Sequence, residues 1–261
     1  MAKLACTTGM SAAQRQQALL RNAVLGMAVA RAMGLASPAV GVLNVDAAPQ
    51  VLRALNRMAE RGYDLRLGQS LRGDGGSLLR GNDLLAGAVD VCVTDTLTGN
   101  ILMKLFSAFT SGGAYETTGW GYGPSVGEGW NRVVSIVSRA SGAPVMANAL
   151  AYTAAAVRGN LPAVVVEELR RARAAGLDEE LAAFEKAAGA APAAEAQAPP
   201  AEPTDEEIHG IDVLDLEQAV HCLWKENIYA EAAMGCTGPV VKLAVARLEK
   251  AREILKAAGY I

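Results

Sequence analysis

Between residues 13 and 34 apolar side chains return every three to four positions. Leu19, Leu20, Val24, Met27, Ala28 and Met33 share one broad face, and Gly34 closes the run. That period predicts a helix with a glycine stop. Val40-Gly41-Val42-Leu43-Asn44-Val45 is short, apolar and ends at Asp46, as a buried strand does. A helix is expected over about 48–61, closed by Gly62, and Tyr63-Asp64-Leu65-Arg66-Leu67 then alternates like a strand. The loop Arg72-Gly73-Asp74-Gly75-Gly76-Ser77 precedes a short helix near 78–86. Val89-Asp90-Val91-Cys92-Val93 reads as a strand feeding Thr94-Asp95-Thr96-Leu97-Thr98-Gly99-Asn100 and a helix through Phe109. Helices between successive strands predict a layered α/β/α fold with a mostly parallel sheet.

The stretch from Ser111 to Gly129 is rich in glycine and holds Trp120 and Tyr122, with Trp130 just beyond. It reads as a long functional loop or a subunit contact. For Val133-Val134-Ser135-Ile136-Val137 a strand and one face of a helix fit equally well, and 162–186 reads as helix. Residues 187–203 are nearly pure Ala, Pro, Glu and Gly, a linker with nothing to bury and an expected site of proteolytic nicking. The chain thus divides into an α/β domain over 1–186, the linker 187–203 and a C-terminal helical unit over 204–261. That unit opens on the capping-box pattern Thr204-Asp205-Glu206-Glu207 and carries helices expected over about 213–226 and 239–258, joined by a loop holding Cys236.

Composition narrows the picture. With 261 residues, 51% hydrophobic and 20% charged, the chain can bury a sizeable core, and 5% aromatics with abundant Ala and Gly suit helices packed closely on a sheet. A net charge of −3 offers nothing to nucleic acid or an anionic membrane surface. The four cysteines, Cys6, Cys92, Cys222 and Cys236, have no metal-ligand spacing. No signal peptide and no apolar run of roughly 18 residues is present. The chain reads as cytoplasmic and thiol-reduced, with no metal and no cofactor; no Walker motif and no strand-linked GxGxxG occurs.

Two segments carry candidate chemistry. In Met234-Gly235-Cys236-Thr237-Gly238-Pro239, Pro239 reads as the first residue of a helix capped by Thr237 or Gly238. Such a cap aims backbone N–H groups and the positive helix end at Cys236, lowering its pKa and giving a nucleophilic thiolate, with Gly235, Thr237 and Gly238 as oxyanion donors. A buried loop cysteine is the plain alternative. In the turn 94–100, Thr94, Thr96, Thr98, Gly99 and Asn100 stand between strand and helix, with Lys104 one turn on, a place where phosphate or an acyl phosphate is held. Capping and turn chemistry account for the same residue types. Arg80 and Asn82 offer a second anion contact, against the alternative of an ordinary turn. His209 and His221 have no triad partners, Cys92 sits in an apolar strand, and Glu226 or Glu231 is either a proton acceptor for Cys236 or a solvated side chain.

Pro38 to Asn44 and Val89 to Asn100 resemble the phosphate acyltransferases of phospholipid synthesis, which have a "GLLN" strand and a "DGFTGN" turn; here Thr96-Leu97 replaces Gly-Phe. Arg80 to Leu85, Thr94 to Asn100, Tyr122-Gly123-Pro124 with Gly127-Glu128-Gly129, and Met234 to Pro239 resemble more closely the alpha subunit of component C of the glycine, sarcosine and betaine reductase complex. The likeness spans nearly the whole chain. It implies a phosphate acyltransferase/isocitrate dehydrogenase-like fold and an acetyl group held on Cys236 as a thioester. Inorganic phosphate seated at 94–100 then attacks it to release acetyl phosphate. It also implies a component C beta subunit and selenoprotein A as partners. A direct acyl carrier protein:phosphate acyltransferase, needing no acyl-cysteine, is the second enzymatic reading, and a subunit kept for assembly the third. Family members begin with a further segment bearing the first strands of the sheet, so this chain is expected to be N-terminally short, and the 187–203 linker looks like an insertion.

Overall fold

The computed structural model describes residues 11–72, 76–189, 198–211, 215–235 and 238–261. Two compact units are present, Met1–Ala187 and Ala188–Ile261. The first contains α1 (Ala12–Ala32), β1 (Ala39–Leu43), α2 (Ala48–Glu60), β2 (Arg66–Leu67), β3 (Leu78–Leu79), α3 (Gly81–Ala86), β4 (Val91–Val93), α4 (Thr96–Ala108), α5 (Ala143–Arg158), α6 (Leu161–Ala174) and α7 (Leu177–Gly189).

Strand β1 is the centre of a parallel sheet. On one side it pairs first with β2 (Val40 opposite Leu67) and further along with β3 (Val42 opposite Leu78); on the other it pairs with β4 (Val42 opposite Val93). Residues Ala39 to Val42 are buried without alternation, as expected of a parallel strand covered on both faces. The glycine within this run, Gly41, is required by packing: a Cβ there would fall 2.5 Å from the Leu79 side chain. The sequence-derived strands near 40–45, 63–67 and 89–93 all lie in this one parallel sheet, and β3 is an addition to them.

Helix α1 opens on a capping box in which Ser11 accepts the Gln14 N–H while the Gln14 side chain accepts from Ser11. Its apolar face, Leu19, Leu20, Val24 and Met27, is fully buried with Val51, Leu55 and Met58 of α2, Leu161 and Val165 of α6, and Val91 and Val93. Each such side chain contributes about 1.5–3 kcal/mol by leaving water. Polar ties cross the same interface. Buried Glu168 on α6 receives Arg31 Nη1 of α1 at 2.5 Å and the Tyr63 hydroxyl at 2.5 Å, and Arg31 Nη2 reaches Asp64 at 2.7 Å. Burial, then the charge of Glu168 beside it, pushes the Tyr63 phenol up. Glu180 of α7 binds Arg57 at 2.5 Å and Arg61 at 3.1 Å.

Several expectations are corrected. Leu78 and Leu79 pair with β1, so the helix expected from 78 begins only at Gly81. Gly176, with φ +91, breaks the helix expected over 162–186 into α6 and α7. Residues 133–137 form neither strand nor helix beyond a bridge of Ser125 with Val134. Helix α5 was not foreseen; its sequence is apolar on too many sides to show a clear period.

The second unit is an antiparallel sheet with helices, where helices alone were expected. It contains β5 (Glu206–Ile208), α8 (Leu216–Lys225), β6 (Ala230–Gly235), β7 (Gly238–Leu243), a 3₁₀ turn at Val245–Arg247 and α9 (Leu248–Ala257), with strand order β5-β7-β6. The Thr204 capping box does not form, because Glu206 to Ile208 pair with Leu243 to Val241. Val240, Val241 and Leu243 are fully buried, Val241 and Leu243 among Ile208, Leu216, Leu223, Ile228 and Leu255. The helix expected from Pro239 is therefore a strand: β-branched valines between two partner strands outweigh the helical spacing. Pro239 sits one residue into the strand, near its start, where a residue without an N–H is tolerated.

Candidate functional site

Parallel strands place the segments that follow them at one edge of the sheet. After β1 comes Asn44, after β3 Arg80, and after β4 Thr94, and the Asn44 N–H donates to the Leu79 carbonyl at 2.9 Å. The registers Leu43–Leu79 and Val42–Val93 put Arg80 and Thr94 on opposite sides of the end of β1. The structure thereby brings together the two anion-binding candidates, 80–82 and 94–100. This is the carboxyl end of an open sheet, where α/β proteins receive ligands.

Asp95 caps α4. Its carboxylate accepts the Thr98 N–H at 3.0 Å and its carbonyl the Gly99 N–H at 3.0 Å. Two of the N–H groups expected for an anion are thus engaged locally, and Gly99 is buried. Asn100 is exposed. Thr94 Oγ1 is buried with no hydrogen-bond partner among the described residues, and so is Gln50 Oε1 in the first turn of α2, the helix that follows β1. Buried polar atoms without partners are uncommon in folded chains. Gln50 and Asn44 were not among the sequence-derived site residues. No spacing marks them; the register of β1 with β4 is what sets Asn44 at the same sheet edge as Thr94.

Arg80 occupies the cap position of α3 and Asn82 its exposed first turn. Between them and the preceding loop lies buried Asp83, which accepts from Leu71 N–H at 2.7 Å, Arg80 N–H at 2.7 Å and Ser70 Oγ at 3.0 Å. Those donors, the Leu71 N–H first, hold its carboxyl below the ordinary value.

Lys104 belongs to a cluster centred on Glu116, in the glycine-rich segment. Glu116 is 1% exposed and receives Lys104 Nζ at 2.7 Å, Ser141 Oγ at 2.6 Å, Ser138 Oγ at 2.9 Å and the Tyr122 hydroxyl. Burial pushes its carboxyl up, but these donors, Lys104 foremost, outweigh burial and hold it at about 2. Lys104 is raised in turn, its own desolvation being overcome by Glu116 and Tyr122. The same segment is tied to α6 through Glu128 and Arg173 at 2.7 Å, and contains a cis peptide at Gly123–Pro124.

Cys236 and Thr237 lie outside the described residues. Gly235 and Gly238, which flank them, are a paired position at the end of the β6–β7 hairpin. With a strand at 238–243, the helix-dipole argument for an acidic Cys236 thiol no longer applies. Glu231 accepts the Tyr229 hydroxyl at 2.6 Å, and Glu226 ends α8. Burial pushes the Cys92 thiol up to about 11, as suits a core cysteine. Among the described residues no group of three His, Cys, Asp or Glu is placed to hold a metal. Among them, too, no single helix is long and apolar enough to cross a membrane; α5 and α6 meet that length and composition only as a pair bent by 63°.

The parallel sheet, with a capped helix following β4 at its carboxyl edge, defines a layered α/β protein. The chain belongs to the family described as "Fatty acid synthesis protein", whose model matches residues 1–242. It is 51% identical over 259 residues to a glycine/sarcosine/betaine reductase complex component C subunit alpha from Peptoclostridium acidaminophilum, covering 99% of this chain and 67% of that protein. It is 38% identical over 99 residues to a phosphate acyltransferase from Thermobifida fusca, covering 37% of this chain and 27% of that protein. A phosphate acyltransferase from Phenylobacterium zucineum is 40% identical over 92 residues, covering 33% and 24%. No solved structure matches the chain significantly.

Proposed function

We propose that this chain is the acetyl-phosphate-forming subunit of an amino-acid reductase complex of the glycine, sarcosine and betaine type. On this reading Cys236 carries an acetyl group as a thioester. A phosphate oxygen attacks the thioester carbonyl carbon, the C–S bond breaks, and acetyl phosphate leaves with Cys236 released as thiolate. A thioester suits this step because a thiolate leaves more readily than an alkoxide or an amine. The observation that carries the reading is the 51% identity along 99% of the chain to a component C alpha subunit. The carboxyl end of the parallel sheet supports it with Thr94, Thr96, Thr98, Gly99, Asn100, Lys104, Arg80 and Asn82 as phosphate-binding residues; Gly235, Thr237 and Gly238 flank the nucleophile. Its partners are a component C beta subunit and selenoprotein A, and its compartment the cytoplasm.

The likeness to phosphate acyltransferases, confined to about a third of the chain, favours a second reading: direct acyl transfer from acyl carrier protein to phosphate, without an acyl-cysteine. One experiment separates them. Incubated with its partner subunit and acetyl-labelled acetyl phosphate, the protein is expected to acquire label on Cys236. Cys236→Ser is expected to lose both the label and arsenate-dependent turnover. A fully active, unlabelled Cys236→Ser variant would sink the covalent reading and favour the second.

A further inference from the structure

A cation beside the incoming phosphate would offset its charge, and α4 carries a single one, Lys104, in a setting unlike that of a surface lysine. Thr96, Asn100 and Lys104 follow one another at four-residue intervals and share one edge of the helix. That edge begins at the helix N-terminus, the end at which phosphate is proposed to bind. The Lys104 side chain is 45% exposed, while its ammonium is held by Glu116 at 2.7 Å and the Tyr122 hydroxyl at 3.0 Å. An ammonium has three N–H donors. The third has no acceptor among the described residues.

Glu116 is itself held in place from the opposite side. Ser138 and Ser141 both donate to Oε2, whereas Lys104 binds Oε1. The Glu116 backbone is bonded as well, its N–H to the Ala140 carbonyl at 2.7 Å and its carbonyl to the Gly142 N–H at 2.8 Å. With its carboxyl held at about 2, Glu116 is an anion near neutral pH and poorly matched to proton transfer there. What remains for it is to hold a charge.

We propose that Glu116 is the positioning residue of the phosphate site, orienting the Lys104 ammonium on the Asn100 edge of α4 so that it meets phosphate without first surrendering side-chain freedom. The inference rests on the phosphorolysis reading above. A free lysine has a flexible four-carbon stem whose ordering weakens any contact it makes. In this chain that ordering is already complete before phosphate arrives. Glu116 touches neither phosphate nor the acyl group; it acts through Lys104.

The test is exchange of isotopically labelled inorganic phosphate into acetyl phosphate by the assembled complex, read as KM for phosphate and kcat. Glu116→Gln is expected to raise KM about tenfold with kcat within about twofold, the pattern of lost binding common to ground and transition states. Tyr122→Phe is expected to raise KM by a smaller factor, Lys104→Met by more than Glu116→Gln, and Lys104→Arg to restore part of the loss. The Glu116→Gln/Lys104→Met double variant is expected to be no worse than Lys104→Met alone, since both act through one ammonium. A Glu116→Gln variant with lower kcat at unchanged KM, or additive effects in the double variant, overturns the proposal and assigns Glu116 to folding. Should Glu116→Gln fail to fold, unchanged phosphate KM in both Tyr122→Phe and Lys104→Met overturns it equally. Absence of phosphate exchange in the unaltered complex overturns the phosphorolysis reading together with this one. Saturable exchange with unmoved variants overturns this one alone.

Discussion

The carboxylate of Asp95 accepts the backbone N–H of Thr98 at 3.0 Å and so closes the first turn of α4. The same carboxylate places a negative charge where an anion is proposed to bind, and its capping role accounts for its presence there. Asp95→Ala is expected to lower stability by about 1 kcal/mol through loss of the cap. Asp95→Asn keeps an equally good cap and removes the charge, so phosphate KM should fall while the melting temperature stays close to that of the unaltered protein. Thermal denaturation and phosphate-exchange kinetics measured side by side check both outcomes; a raised KM in Asp95→Asn would contradict the electrostatic account.

Acid sensitivity follows from Glu116. Its carboxyl is held at about 2 in the folded chain against an ordinary value of 4.5. A depressed carboxyl stabilises the fold above its unfolded value and loses that contribution as pH falls through its folded one. The loss should therefore occur between about pH 4.5 and 2. Urea midpoints measured across this window should fall for the unaltered chain and fall less for Glu116→Gln.

Close approach of α1 to the α5–α6 corner gives a third outcome. A Cβ on Gly159 would lie 1.9 Å from the Ala32 carbonyl oxygen, which is backbone and cannot swing aside. Gly159→Ala is expected to destabilise by about 1–3 kcal/mol. Gly81→Ala, where nothing lies within 4 Å, should change stability little. Equal effects in chemical denaturation would contradict this packing.

The Arg31–Glu168–Tyr63 network gives the fourth. Glu168→Ala leaves the Arg31 guanidinium without its buried partner and is expected to cost about 3–5 kcal/mol. Tyr63→Phe removes one hydrogen bond to the same carboxylate and should cost about 1–2 kcal/mol. Denaturation midpoints rank the two variants, and a reversal of that order would show that the ion pair contributes little.

Helices α1 and α2 and strands β1 and β4 were legible because each buries one continuous pattern that local sequence writes in full, such as Val40 to Leu43 or Leu19 to Met33. Strand β2 was legible through the alternation of Tyr63 to Leu67, most of which lies outside its two paired residues, whereas β3, also two residues, is too short for any period to register. The turn at Thr94 to Asn100 was legible as a strand-to-helix connection because hydroxyls, a glycine and an amide follow an apolar strand directly. Glu116 was not, because an isolated glutamate in a glycine-rich segment looks solvated until Ser138 and Ser141, more than twenty residues away, close over it.

Local sequence by itself determined that the first unit is layered α/β with a parallel sheet, since hydrophobic period and chain punctuation are properties of contiguous residues. It also determined the glycine-bracketed Cys236 and the polar turn after β4. Tertiary structure alone decided that Pro239 to Leu243 is a strand. Val240 and Val241 satisfy helix and strand spacing equally well, and only hydrogen bonding to β5 and β6 on either side breaks the tie. It also decided which polar residues meet. The hydrogen bonds of Lys104 to Glu116 and Tyr122, and the register that sets Arg80 and Thr94 on either side of β1, depend on distances through space that no spacing along the chain encodes.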